Sequence, residues 1–257
     1  MPDYFRVLEG AELEKASAVR ENLVRKPWDD GIVPVDGEIR GRCVFEFGAI
    51  DELDLDHLSG LIAGADRIGE STVLICDDGV VEVELKRLKN FCETTDLSMG
   101  SGEDWHVPDA LADWPEPAKQ ALTPIFVDGW ALVSPAGKWS FASYGAGDDN
   151  FIIGTQAFLD AYAERRPEVA YDVLLWMHGD GSFIFSDRDY TKHAKGTLER
   201  FYRPDDAKWI WDTWVESRRA LDLRPLSDWA GRATKLIEHF KSDQAIGARL
   251  SQIWRGT

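Results

Sequence analysis

Five residues between His178 and His193 carry side chains that bind metals or move protons: His178, Asp180, Asp187, Asp189 and His193. If residues 188–200 are helical, Asp189 and His193 stand at i and i+4 on one face. His178 and Asp180 could then approach across a strand predicted over 182–186 and complete a mixed nitrogen and oxygen donor set for a hydrolytic metal ion. Each residue also has a structural role. Asp180 sits in a turn between Gly179 and Gly181, Asp187 suits a helix N-cap, and His193 lies beside Lys192 and Lys195 as a surface side chain would. The structural roles are the stronger reading, so no metal ligand, cofactor or catalytic residue is assigned.

A second group is Asp148, Asp149 and Asn150, which follow Gly145 and Gly147. Glycine supplies unusual backbone angles and Asp or Asn satisfies local amides, so a structural turn accounts for the composition, with a binding loop as the alternative reading. The third feature is the tryptophan content, 11 in 257 residues, with Trp209, Trp211 and Trp214 close together. Residues two apart on a helix are separated by about 200°, so Trp209 and Trp211 cannot share a face. One indole, taken as Trp211, is expected to point outward among Asp205, Asp206 and Asp212, as an interface anchor with an acidic rim.

Familiar catalytic motifs are missing. The nearest approach to a phosphate-binding loop, Ala136-Gly137-Lys138-Trp139, lacks the first glycine and the hydroxyl, and GxGxxG, HExxH, GxSxG and EF-hand patterns do not occur. Common nucleotide and protease chemistries are thereby disfavoured.

The elements that must position these residues centre on 130–154. Two apolar strands joined by a tight turn at Ala136 and Gly137, a Gly/Asp loop and a third strand are predicted there, with Trp139 and Phe141 alternating onto a buried face. A helix over 156–165 follows, then one opened by Pro167 that carries Val169, Tyr171, Val173, Leu174 and Met177. Upstream, Tyr4–Leu8 suits a short strand, and apolar positions from Ala11 to Val24 recur on one helical face. Cys43–Phe47 suits a strand, Leu58, Leu61, Ile62 and Ala65 a helix, and 72–76 with 80–85 a hairpin around Asp77-Asp78-Gly79. Beyond Arg188 the chain reads as helical, with helices opened by Pro204-Asp205-Asp206 and by Pro225 and a last one through Ala245 to Trp254.

Between Cys92 and Pro124 the periodicity disappears and four prolines occur. The expected organisation is therefore a βαββ-like N-terminal unit over 1–91, a linker or long excursion over 92–124, and a C-terminal unit over 125–257 ending in three helices. The fold class is α+β, a central antiparallel sheet covered by helices.

Composition limits the partners. The chain has 46 acidic and 29 basic residues, a formal charge of −17, and a pI of about 4.7. A field of that sign repels free nucleic acid and anionic membranes and favours a basic protein partner. Cys43, Cys76 and Cys92 have no CxxC spacing, and the first two lie in apolar runs that suit buried, reduced thiols. No basic segment leads into an apolar one at the start, and no apolar run reaches about 18 residues, so a soluble cytoplasmic protein is expected.

The expected function is non-catalytic: an acidic interaction protein, in concrete form an immunity or inhibitor protein that binds a basic toxin or nuclease. Trp211, Asp205, Asp206, Asp212, Asp148 and Asp149 are its expected contacts. The alternatives are a metal-dependent hydrolase built on the His178–His193 group and an acidic mimic of DNA.

Overall fold

Alternating and continuous apolar runs from both halves of the chain pair into one sheet. The computed structural model describes residues 5–25, 39–44, 55–76, 80–94, 131–144, 149–178, 187–221 and 229–256. Its strands are β1 (Phe5–Val7), β2 (Ile39–Val44), β3 (Thr72–Cys76), β4 (Val80–Glu84), β5 (Ala131–Val133), β6 (Trp139–Tyr144) and β7 (Asp149–Thr155). They lie in the order β1-β4-β3-β5-β6-β7-β2, with every pairing antiparallel. The helices described are α1 (Gly10–Arg20), α2 (Leu55–Arg67), α3 (Leu85–Thr94), α4 (Gln156–Arg165), α5 (Asp172–His178), α6 (Asp187–Phe201), α7 (Pro204–Ala220), α8 (Trp229–Ser242) and α9 (Gln244–Arg255). The protein is thus α+β, with helices covering a central antiparallel sheet, as expected.

The βαββ succession appears as β2-α2-β3-β4, and its strands take places in the common sheet. Leu74, Ile75 and Cys76 stand opposite Val133, Leu132 and Ala131, and β2 pairs with β7 from Ile39↔Thr155 to Val44↔Asn150. The sheet therefore does not divide at 92–124. Residues 92–94 are the last turn of α3, and the rest of the expected linker lies outside the described residues.

Two local expectations are corrected. The strand expected at 43–47 begins earlier, at Ile39, and its Gly41 serves close packing: a Cβ there would lie 2.4 Å from the Phe201 ring. The second hairpin strand ends at Glu84, and Leu85 opens a helix that buries Leu85 and Leu88.

Side-chain alternation gives the sheet two apolar faces. Leu74, Cys76, Val133, Phe151 and Ile153 join the cluster built with α5 to α8. Val73, Ile75, Leu132, Phe141 and Ile152 join the cluster built with α2, α3 and α4. Trp139 lies on the second face as expected, 1% exposed and stacked on Phe158 at 4.8 Å. Cys76 is buried in the first, which pushes its thiol up to about 12; the side chains of Cys43 and Cys92 are not among those described. The last helix, α9, is capped by Asp243, which accepts from the amides of Ala245 and Ile246. It ends at Gly256 in the left-handed conformation, φ 71°. Among the described residues no helix is long and apolar enough to cross a membrane.

Candidate functional site

Helices α6 and α7 meet at Tyr202 and Arg203, and the sequence explains both ends of that junction. Pro204 takes the first helical position, where its missing N–H costs nothing, and Asp205 and Asp206 fill the positive first turn. Ala194, Leu198 and Phe201 of α6 and Ala207, Ile210 and Trp214 of α7 are buried. Between the flanks they leave runs a groove of about 580 Å³.

Trp211 is half-buried and lines that groove with Leu198. Its ring lies 4.9 Å from that of Trp214, and Lys195 Nζ stands 4.5 Å from its centroid, within cation–π range. Lys208, Asp212 and Glu199 complete the rim. The acidic rim expected around Trp211 is therefore a mixed one. Asp212 is ion-paired with Lys208, one helical turn earlier, which raises the lysine above its ordinary value. Asp206 turns the other way and takes Arg249 of α9 at 2.6 Å, while Asp205 is exposed. Where one outward tryptophan is expected, Trp209 and Trp211 are both half-buried and packed against the core.

The second expected contact region is reached only at its end. Asp149 opens β7 opposite Tyr144, and Asp148 lies outside the described residues.

The two histidines of the proposed metal group are engaged elsewhere. His178, the last residue of α5, has its ring between Trp214 and Phe240, each at 6.1 Å, and its Nε2 lies 2.8 Å from Ser217 Oγ. The Ser217 hydroxyl itself donates to the Trp214 carbonyl, so the imidazole N–H is the donor to Ser217. Burial, with Arg218 and His239 adding to it, pushes the His178 pKa down to about 3. His193, on the helix expected there, packs on Trp176 at 6.2 Å. Asp187 opens α6, the side chains of Asp187 and Asp189 are not among those described, and Asp180 and the strand expected at 182–186 lie outside. Among the described residues no three His, Cys, Asp or Glu side chains lie close enough to hold a metal ion.

Three polar clusters gave no sequence signal. Arg166 Nη1 donates to Asp172 Oδ2 at 3.0 Å and to Tyr162 Oη at 3.1 Å and lies 3.1 Å from His57 Nδ1, clasping α2, α4 and α5 inside the protein. Trp139 Nε1 donates to Glu70 at 2.6 Å and Ser134 donates to the other oxygen. Burial pushes the Glu70 carboxyl up, and these two hydrogen bonds oppose it. Arg42, in the edge strand β2, donates to the carbonyls of Ile253 and Trp254 at the end of α9, 2.8 Å each. The first cluster is buried and the second half-buried, and both hold elements together; Arg42 lines a second cleft.

Compared with known proteins, the chain matches no family model, no curated protein and no solved structure.

Proposed function

We propose that this chain is a non-catalytic interaction protein that takes a basic protein partner onto the α6–α7 groove, with Trp211 as its short-range anchor. The observation that carries the reading is the half-buried indole in a groove of about 580 Å³, held by Trp214 and Lys195. A large aromatic already fixed by its neighbours loses little freedom on binding, which is what an interface anchor needs. The charge of −17 supplies long-range attraction. The mixed rim of Lys195, Glu199, Lys208 and Asp212 then selects a partner whose side chains pair with both signs. An immunity or inhibitor protein against a basic toxin or nuclease is the concrete form of this reading, since such a partner must be found quickly and held.

The test is stopped-flow binding of the partner, once captured by pull-down, across a salt series with the native chain and with Trp211→Ala. Attraction is screened over about 10 Å at 0.1 M salt, so the association rate falls as salt rises. The substitution raises the dissociation rate about 30-fold, the equivalent of a hot spot of about 2 kcal/mol. A salt-independent association rate with unchanged dissociation removes this groove from the interface.

A further inference from the structure

A second cleft, of about 230 Å³, opens between the edge strand β2, the α6–α7 junction and the end of α9, and among the described residues it shares no lining residue with the Trp211 groove. Its titratable lining is unlike the rest of the chain: Arg40, Arg42, Arg200 and Arg203, with Asp206 as the one carboxylate among the described lining residues. That carboxylate is already held by Arg249 at 2.6 Å.

The arginines are placed by different forces. Arg42, 5% exposed, is tied by its bonds to Ile253, Trp254 and Gly41 carbonyls and cannot swing toward a ligand. Arg40 and Arg203 are different, because neither meets a carboxylate among the described residues. Arg203 Nη2 bonds the Gly256 carbonyl at 3.0 Å. The Arg40 guanidinium rests on the same residue so closely that a Cβ there would lie 2.8 Å from its Cζ. Gly256, with φ +71°, thus lets two cationic side chains converge on one point of backbone. Among the described residues the negative charge they share at that point is that of a helix end, about half a unit.

We propose that this cleft binds the phosphate group of a small molecule, with Arg40 and Arg203 as the two arms that close on it. A guanidinium fork matches an oxyanion through paired N–H donors. A carboxylate presents two oxygens, which one fork uses up, whereas a tetrahedral phosphate has oxygens for both arms at once. The charge of −17 argues against a nucleic-acid backbone, whose neighbouring phosphates would have to run over an acidic surface. A single phosphate group enters without that cost.

The experiment is calorimetry and thermal unfolding of the full chain with inorganic phosphate, a sugar phosphate monoester, acetate and a short single-stranded DNA, at constant ionic strength set by sodium chloride. Both phosphates are expected to bind one to one and to raise Tm with concentration, acetate at least tenfold more weakly and the DNA not at all. Arg40→Gln and Arg203→Gln each lower phosphate affinity at least tenfold while the ligand-free chain still unfolds cooperatively, since the Arg203 side chain is exposed and Arg40 is only half-buried. Lys195→Gln, in the other groove, leaves phosphate binding as it was. The proposal is overturned if phosphate does no more than the matched chloride, or if acetate or DNA binds as well as phosphate. It is equally overturned if binding survives the Arg40→Gln/Arg203→Gln pair, or if Lys195→Gln weakens it as much as Arg40→Gln does.

Discussion

The two faces of the sheet are closed by different means. Against α2 and α4 the core includes charged and polar groups, with Arg166 bonded to Asp172, His57 and Tyr162 and His57 bonded to Tyr162, and Glu70 held by Trp139 and Ser134. Against α5 to α8 the core is closed largely by rings: Phe151 stacks on Phe201 at 4.4 Å, and His178 lies uncharged between Trp214 and Phe240. Buried polar groups of the first kind add geometry as well as burial, because every member has to be satisfied at once. The second kind depends on area and shape. The first face should therefore fail when one partner is removed, and the second when a proton is added.

The largest effect is expected at Trp139, where both means coincide. Trp139→Ala opens a cavity against Phe158 and also removes one of the two hydrogen bonds to the half-buried Glu70 carboxylate, leaving that of Ser134. Losing a buried aromatic costs about 3 to 5 kcal/mol, and the lost hydrogen bond adds to that. Urea denaturation measures it. If Trp139→Phe, which keeps the ring but not the N–H, is as stable as the native chain, the Glu70 bond contributes nothing and the face is held by area alone.

Next comes the Arg166–Asp172 pair, whose side chains are only 10% and 1% exposed. Asp172→Ala should cost about 3 kcal/mol, because it leaves a guanidinium buried without its counter-ion. Replacing both at once, as Arg166→Met with Asp172→Leu, should recover most of that loss if the pair serves geometry rather than net stability. A double variant as unstable as Asp172→Ala would show that His57 and Tyr162 depend on the arginine itself.

How much of this was legible follows the distance over which each signal acts. Pro204-Asp205-Asp206 announced α7, and alternation announced the burial of Trp139 with Phe141, because caps and pleats act over a few residues. The pairing of Lys208 with Asp212 is readable at i,i+4, and it makes the rim of the groove mixed where the three aspartates alone suggest an acidic one. The start of β2 in Ile-Arg-Gly-Arg was hidden, since its glycine answers to Phe201, 160 positions away, and not to its neighbours. The convergence of Arg40 and Arg203 on Gly256 has no spacing rule at all. A chain-wide charge of −17 concealed it, because net charge averages over the surface on which sites are local.

The smallest effect probes the ring-closed face through pH. His178 has a folded pKa of about 3 against an ordinary value of 6.5. Its folded value is depressed, so the unfolded chain takes up a proton that the folded chain refuses. Its contribution is complete above pH 6.5 and is lost as pH falls from there toward 3. Each further unit costs up to about 1.4 kcal/mol, and the step from pH 6.5 to 5.5 costs about 1 kcal/mol. Glu70 acts in the opposite direction, since its carboxyl is raised, so the native pH profile alone does not isolate the histidine. His178→Gln isolates it: the amide still donates to Ser217 but cannot titrate, and Glu70 and His239 are common to both chains. The native chain should therefore lose about 1 kcal/mol more than the variant between pH 6.5 and 5.5, read from urea midpoints. Equal losses would mean that the imidazole takes up its proton in the folded state, and that Trp214 and Phe240 do not enclose it as closely as their ring distances imply.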